Sequence, residues 1–479
     1  MNEMNNEQEH LVQAAPLPER NIWQAFKNAL RGTEADYTSI SLRKAIFLLA
    51  VPMILELIME STFAVVDIFF VGKLGASAVA TVGLTETYMF LFYAVAMGLS
   101  MAVTAIIARR TGEKNTEDAG ISAVQAVIIS CLISIPFAIA GIFFAQDMLQ
   151  LMGADEWSIS HGYRYTQWML GGNLVIILLF VINAIFRGAG DAAIAMRILW
   201  IANGINIILD PMLIFGWGPF PEMGIEGAAI ATNIGRGIGV LFQIWLLLKG
   251  GKHIQVKLRQ LRINAQIMVG IIKTSLGGVA QMLVAMTSWI FLMRILADLG
   301  SEAVAGATIA IRIMMFTMMP AWGLSNAAAT LVGQNLGAGS PERAESTVWK
   351  IGTYNMIFLI GISIIFFFFN HDLISIFSND TKVIAIGAEW LRILSYSFFV
   401  YGWWMVSVQA FNGAGDTKTP TYINLVFFWL IQIPLAYLLA IHLKFDATGV
   451  FWAVFISETS VGLFTLWLFK KGHWKSVKV

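Results

Sequence analysis

Apolar residues run through this chain in long blocks, interrupted by short clusters of glycine, proline and charge. Blocks of membrane-spanning length occupy roughly 44–72, 78–108, 119–146, 160–186, 193–216, 224–249, 268–297, 304–335, 346–369, 385–411, 420–442 and 447–470. Each is near or above the ~20 residues that an α-helix needs to cross a hydrocarbon layer. The pattern predicts an all-α integral membrane protein of twelve transmembrane helices. Composition agrees. Of 479 residues, 57% are hydrophobic and 13% charged, with a mean hydropathy of +0.71. A soluble chain of this length needs far more polar surface.

The net charge of +1 says little, but its distribution says more. Arg109, Arg110 and Lys114 follow span 2, and Arg187 and Arg197 flank the connection after span 4. The loop after span 6 reads KGGKHIQVKLRQLR. Arg343 and Lys350 follow span 8, Lys418 follows span 10, and KKGHWKSVKV ends the chain. The opposite connections AQDMLQLMGADEWS and GPFPEMG contain no Lys or Arg. Basic loops stay on the cytoplasmic side of a membrane. Both termini are therefore expected in the cytoplasm, with the protein in the cell inner membrane. The first apolar run is too long for a signal peptide and lies behind a polar arm, residues 1–40. Within the arm, NIWQAFKNALRG reads equally as an interfacial helix with Trp23, Phe26 and Leu30 on one side or as a disordered tail. Cys131 is alone, which excludes disulfides within the chain.

The chain is also written twice. Gly75 of VGKLGASAVA matches Gly300 of ILADLGSEAVA, and Asp191 of FRGAGD matches Asp416 of FNGAGD. Gly112 matches Gly337, and Gly224 matches Gly449. All four pairs share one offset of 225 residues, the mark of an internal duplication of six spans plus six. Because six is even, both copies enter the membrane the same way. They form lobes related by a pseudo-two-fold axis along the membrane normal. The expected divisions are the arm, a first lobe at 41–248, a basic linker at 249–265, a second lobe at 266–470 and a basic tail at 471–479.

Span 5 carries the candidate chemistry. ANGINIILDPMLIFGWG places Asn203, Asn206 and Asp210 in an apolar helix, with Pro211 next. An aspartate at the centre of a membrane helix costs about 2.5–3.5 kcal/mol on insertion scales. On span 1, Glu56, Glu60 and Asp67 fall within ~40° of one another at about 100° per residue. Asp67 and Asp210 each lie roughly 5–10 Å below the outer end, and Thr232 on span 6 about 12 Å down. Asp67, Asn206, Asp210 and Thr232 can thus share one level. Their oxygen donors suit Na⁺ better than a soft metal. Two adjacent carboxylates also disfavour each other's charge, so a proton can substitute. Pro211 frees the Ile207 carbonyl one turn back as a further ligand or water site.

In the second copy Asp67 becomes Leu292, Glu60 Ala285, Glu56 Gln281, Asn206 Ile431 and Asp210 Leu435. The first lobe is therefore expected to handle the ion. No Lys or Arg is expected mid-span there to pair with Asp67 or Asp210. For Asn183, Asn203 and Asn233, hydrogen bonding between helices is an equally good reading. Glu56 and Glu60 are read as cavity carboxylates for cationic substrate, joined by Gln281, Met282 and Trp403. Glu86 is either a cytoplasmic-side cavity group or a partner for Tyr88. Glu458 is the one clear second-lobe acid deep in a span, with Arg312 as its expected salt-bridge partner.

VDIFFVGKLGASAVATVGL in span 1, NIILDP in span 5, RGAGD and NGAGDTKTP in the two copies, and ATLVGQNLGAGSPERAE after span 8 together resemble the multidrug and toxic compound extrusion (MATE) family, bacterial type. The likeness covers nearly the whole chain beyond residue 40. It implies two six-helix lobes that export organic cations and other amphiphiles against inward Na⁺ or H⁺. In the family the matching residues form a first-lobe cation site of the kind found in its DinF-like branch. Here they are Asp67, Asn206, Asp210, Thr232 and the Ala228 carbonyl. The Glu that some branches carry in span 7, and the Asp in span 10, are absent here.

Other classes fare worse. His10, His161, His253, His371, His442 and His473 lie near ends and loops without metal spacing. No phosphate-binding G-x-x-x-x-G-K-[ST] occurs, so ATP does not drive the protein. Both G-x-G-D copies sit at helix ends beside basic residues, where glycine serves turns rather than intramembrane proteolysis. An enzyme is not expected, and neither a cofactor nor nucleic acid. The expected state is a monomer whose partners are the lipid bilayer and small amphiphilic or cationic substrates. The alternative is a flippase of lipid-linked oligosaccharide with the same two lobes. Such a protein needs a cavity lined with Lys and Arg, whereas this one offers Glu56, Glu60 and Asp67.

Overall fold

A computed structural model describes residues 22–33, 35–251 and 254–477. Every regular element described is helical. A short α1 (Ile22–Arg31) precedes span 1, α2 (Leu42–Gly72). Spans 2 and 3 are α3 (Ala76–Gly112) and α4 (Thr116–Leu151). Span 4 enters through a π-helical turn at Ser158–Gly162 and continues as α5 (Tyr163–Gly171) and α6 (Asn173–Ala189). Spans 5 and 6 are α7 (Ala192–Ile214) and α8 (Ile225–Lys249). The second half repeats the order with α9 (Ala265–Asp298), α10 (Ser301–Gly337) and α11 (Pro341–Ser375). Span 10 is a pair, α12 (Thr381–Ser395) and α13 (Phe398–Ala414), bent by 65°. Span 11 joins α14 (Lys418–Asn424) and α15 (Ile433–Tyr437) through π-helical stretches at Leu425–Gln432 and Leu438–His442. Span 12 is α16 (Asp446–Lys470). Helices are what apolar surroundings demand, because each backbone amide must find its partner inside the segment.

The duplication extends to the irregularities. Gly190 and Gly415 both end a helix in the left-handed region, at φ 96° and 89°, a conformation that glycine adopts without a Cβ clash. Phe144 in α4 and Phe369 in α11 both leave helical geometry, and they too stand 225 residues apart. The break in span 4 at Gly172 recurs in span 10 at Ser397.

The lobes meet at the end carrying the basic loops. A methyl group on Gly112 would lie 2.0 Å from the Gln334 carbonyl oxygen, and one on Gly337 would lie 2.1 Å from that of Arg109. A methyl group on Gly98 would lie 2.3 Å from Val279 of α9, and one on its counterpart Gly323 would lie 2.7 Å from Ile54 of α2. These contacts are reciprocal under the repeat, as a pseudo-two-fold axis requires. Toward the opposite end α3 exposes Val79, Gly83, Glu86 and Phe90, while α10 exposes Arg312, Met315 and Phe316. The molecule is closed on the basic-loop side and splayed on the other.

Both chain ends strap the closed side. Arg343, after span 8, donates to the carbonyls of Tyr37 and Ile40. Arg109 of α3 donates to the carbonyl of Val477, near the end of the chain. Trp474 is buried, with its ring stacked 4.8 Å from Phe469. In α1, Trp23 is exposed and stacks on Phe26 at 5.8 Å, while Ala29 is the residue buried. The rest of the arm (1–21 and residue 34), Lys252 and His253 of the linker, and residues 478–479 lie outside the described residues, as does His10.

Candidate functional site

The acidic face of α2 turns into the first lobe, toward α7 and α8. At 100° per residue, Glu56, Glu60 and Asp67 stand roughly opposite Ile58, Ser61, Thr62 and Val65. Those four residues instead line an apolar groove of about 340 Å³ shared with Phe316 and Met319 of α10. Glu56 accepts from Arg187 at 2.7 Å and from Asn183 at 3.2 Å, and Gln243 in turn donates to Asn183 at 2.7 Å. Glu60 accepts from Arg236 at 2.9 Å and from Asn203 at 3.0 Å.

Farther along the same lobe, Asp210 is 0% exposed and neither carboxylate oxygen has a hydrogen-bond partner. Asn206 donates to the Thr232 hydroxyl at 3.1 Å, which leaves its own Oδ1 unpartnered. Asp67 makes no hydrogen bond or ion pair with a described residue, and its charge reaches Asp210. Asp67 lies five residues from the end of α2, and Asp210 four from the end of α7. Thr232 lies seven past the start of α8. Ala228 is fully buried one turn from Thr232. The α7–α8 crossing is tight because Gly227 and Gly235 pack on the backbone of Leu213 and Ala202. Pro211 sits inside α7 without breaking it. Its missing N–H leaves the Ile207 carbonyl without its usual donor.

Both Asp210 oxygens and Asn206 Oδ1 are thus buried oxygen acceptors with no donor among the described residues. An unpaired buried charge is strongly unfavourable. The cluster can therefore hold a hard cation or a proton.

Several expectations need correction. A cation does lie mid-span in the first lobe: Arg236, 3% exposed, eleven residues into α8. A single arginine barely lowers the hydropathy of a 25-residue helix, so the block pattern hides it. Its spacing of four from Thr232 is the signal that places both on one face. Glu56 and Glu60 are consequently partners in ion pairs rather than bare cavity acids.

Tyr88 donates to the Met148 carbonyl at 2.9 Å, not to Glu86. Glu86 stands ten residues from the start of α3, toward the splayed end, where the charge of Arg312 reaches it. Arg312 forms no salt bridge with Glu458. It lines a groove of about 270 Å³ with Trp289, Met293 and Met315, while Glu458 is buried in the second lobe without a described partner. Gln281 is buried with Oε1 unpartnered, and Met282 beside it is half-buried. Trp403 packs on Gly352 and Trp349, and its Nε1 donates to Met356 Sδ at 3.2 Å. It therefore serves the packing of α11 on α13. Tyr93 and Tyr165, unremarked in the sequence, stand where the charges of Asp67 and Glu86 reach both.

Twelve helical spans in two pseudo-symmetric lobes around buried acids define a two-lobe membrane transporter. A family model described as MatE matches residues 52–212 and 278–438, one segment in each lobe. The chain belongs to that family, multidrug and toxic compound extrusion transporters of bacterial type, and it is not an enzyme. It is 26% identical to a "Probable multidrug resistance protein NorM" of Thermotoga maritima, over 95% of this chain and 97% of the relative. It is equally 26% identical to a "FAD transporter" of Shewanella oneidensis, over 81% and 86%. The fold matches a solved structure described as the "outward-facing conformation of a multidrug resistance MATE family transporter", with a TM-score of 0.84 at 24% identity, covering 94% of this chain and 98% of that one.

Proposed function

We propose that the protein is a secondary antiporter of the cell inner membrane, with both termini cytoplasmic. It exports amphiphilic, mostly cationic organic compounds against inward Na⁺ or H⁺. The observation that carries this reading is Asp210, fully buried with both oxygens unpartnered beside the unpartnered Asn206 Oδ1. The cost of such an acid is removed when a cation or proton binds. Asp67, Asn206, Asp210, Thr232 and the Ala228 carbonyl supply the oxygens, with the Ile207 carbonyl at hand. Exchange follows if cargo and coupling ion use the first lobe in turn, while the lobes rock about the tight crossings of α3 and α10. The relatives' printed cargoes differ, a drug in one and a flavin nucleotide in another. The preference for cations therefore rests on the acids of this chain. A flippase of lipid-linked oligosaccharide finds no support, since the buried Arg236 and the half-buried Arg187 of the first lobe already hold glutamates. The working unit is a monomer.

The test is efflux of a cationic dye from proteoliposomes with a Na⁺ or a pH gradient imposed separately. Asp67→Asn and Asp210→Asn should each abolish gradient-driven efflux while the protein still purifies as a monodisperse species. Wild-type rates in both variants would remove the first-lobe ion site.

A further inference from the structure

Arg236 is the least satisfied cation in the first lobe. Its Nη2 donates to Glu60, and Phe63 lies 5.4 Å from the guanidinium carbon. Nε and Nη1 are buried without any partner. A buried donor left unmade is costly, more so when charged. Glu60 in contrast holds a second donor, the Asn203 amide, and its side chain remains 31% exposed inside the lobe. Asp67 stands two turns farther along the same face of α2 and has no partner of its own. The charges of Asp67 and Arg236 reach each other. Of two acids on one face of α2, one holds the arginine of α8 and the other holds no partner, and the arginine has donors to spare.

We propose that Arg236 is a captive counter-charge that alternates between Glu60 and Asp67, and so makes Glu60 available to cationic cargo only when the coupling ion has left. With a cation or proton at the Asp67–Asp210 cluster, Asp67 exerts no pull, and the guanidinium stays on Glu60. When the ion leaves, two uncompensated carboxylates remain, one of them, Asp210, fully buried. Arg236 then turns its free Nε and Nη1 to Asp67. Glu60 keeps only the neutral Asn203 amide, and an organic cation entering the lobe takes the vacated place. Cargo and ion exclude each other through a shared arginine rather than by touching the same atoms. Arg236 is thus a positioning residue. The inference rests on the antiport reading, but its test needs no transport.

The test is a double-mutant cycle on equilibrium binding of tetraphenylphosphonium to the purified full-length protein. Asp67→Asn confines Arg236 to Glu60, so it should weaken binding of the probe, by about fivefold or more if the coupling is of ordinary allosteric size. Arg236→Gln frees Glu60 permanently and should bind at least as tightly as wild type. In that background Asp67→Asn should change nothing. If Asp67→Asn weakens binding equally in both backgrounds, Asp67 acts on the probe directly and the shuttle is wrong.

Should Arg236→Gln fail to fold, Glu60→Gln replaces it. Binding is then weak, and Asp67→Asn should have no further effect; an undiminished effect again overturns the proposal. A third readout is loss of coupling-ion affinity in Glu60→Gln, which leaves Arg236 to Asp67 alone although Glu60 touches no residue of the cation cluster. Failed ion coupling in Asp210→Asn bears only on the antiport reading, so the two ideas fail separately.

Discussion

At the scale of single residues, the first lobe holds two kinds of buried acid, those with an arginine and those without. Glu56 is of the first kind, and the second lobe shows what it replaces. The positions equivalent to Glu56 and Arg187 are Gln281 and Asn412, two neutral side chains that are buried and make no hydrogen bond to each other. Breaking a buried ion pair from one side leaves an uncompensated charge and costs about 3–5 kcal/mol, while replacing both partners is often neutral. Glu56→Gln should therefore lower the thermal unfolding midpoint in detergent markedly, and Glu56→Gln with Arg187→Asn should recover most of the loss. Additive losses in the pair would show that the two residues stabilise independently. Asp210 is of the second kind, and its counterpart is Leu435. Asp210→Leu should raise the midpoint in ion-free buffer while ending coupled efflux, the exchange of function for stability expected at a strained site. A lowered midpoint would mean that the resting protein already compensates the carboxylate. The sequence revealed Asp67 and Asp210 because an acid in an apolar run is conspicuous. It hid which acids are paired, since that depends on where Arg236 of α8 meets the face of α2.

At the scale of helices, the spans were legible because a bilayer imposes a minimum apolar length on every crossing. The duplication was legible because glycines resist replacement by any residue with a Cβ, at the positive-φ turns of Gly75, Gly224 and Gly300 and at the close helix approaches of Gly112, Gly337 and Gly449. The breaks within spans were not. Gly171-Gly172-Asn173 announces one in span 4, but the matching residues of span 10 are Tyr396-Ser397-Phe398, with no helix breaker among them. Ser397 is buried and donates to the Leu394 carbonyl at 2.9 Å. In span 4 the space is already taken: a methyl group on Gly172 would sit 2.0 Å from Asn233 Oδ1 and 2.8 Å from the Trp168 carbonyl. Asn233 cannot swing aside freely, because its Nδ2 is held by the carbonyls of Trp168 and Ala229. Gly172→Ala is expected to destabilise by about 1–3 kcal/mol, the range for overpacking. Ser397→Ala forfeits one hydrogen bond, about 1 kcal/mol. Thermal midpoints of the two variants should rank in that order, and a neutral Gly172→Ala would show that span 4 relaxes around the break.

At the scale of the whole molecule, the two ends of the transporter are held by different forces. The basic-loop end is closed by backbone approaches at Gly112 and Gly337 and by two straps, each of which crosses to the other lobe. The segment leading into α2 is gripped by Arg343 of the second lobe, and the tail following α16 by Arg109 of the first. The splayed end has Glu86 on α3 and Arg312 on α10, exposed on the walls of the opening and not in ion contact. Closing that end would bring these two together while opening the other end breaks both straps. Hydrogen bonds to a charged donor are worth about 1.5–3 kcal/mol each. Two conformations that interconvert in use differ by only a few kcal/mol. Losing both straps is therefore enough to move the population. In a Cys131→Ser background, spin labels at Trp217→Cys and Ile376→Cys report the width of the splayed end from exposed connections of opposite lobes. The distance distribution should shift toward shorter values in Arg109→Gln with Arg343→Gln, and shift back when Glu86→Gln removes the pairing available to Arg312. If the distribution stays at its wild-type width in the strap variant, the glycine crossings alone hold the closed end, and the chain termini play no part in choosing the conformation.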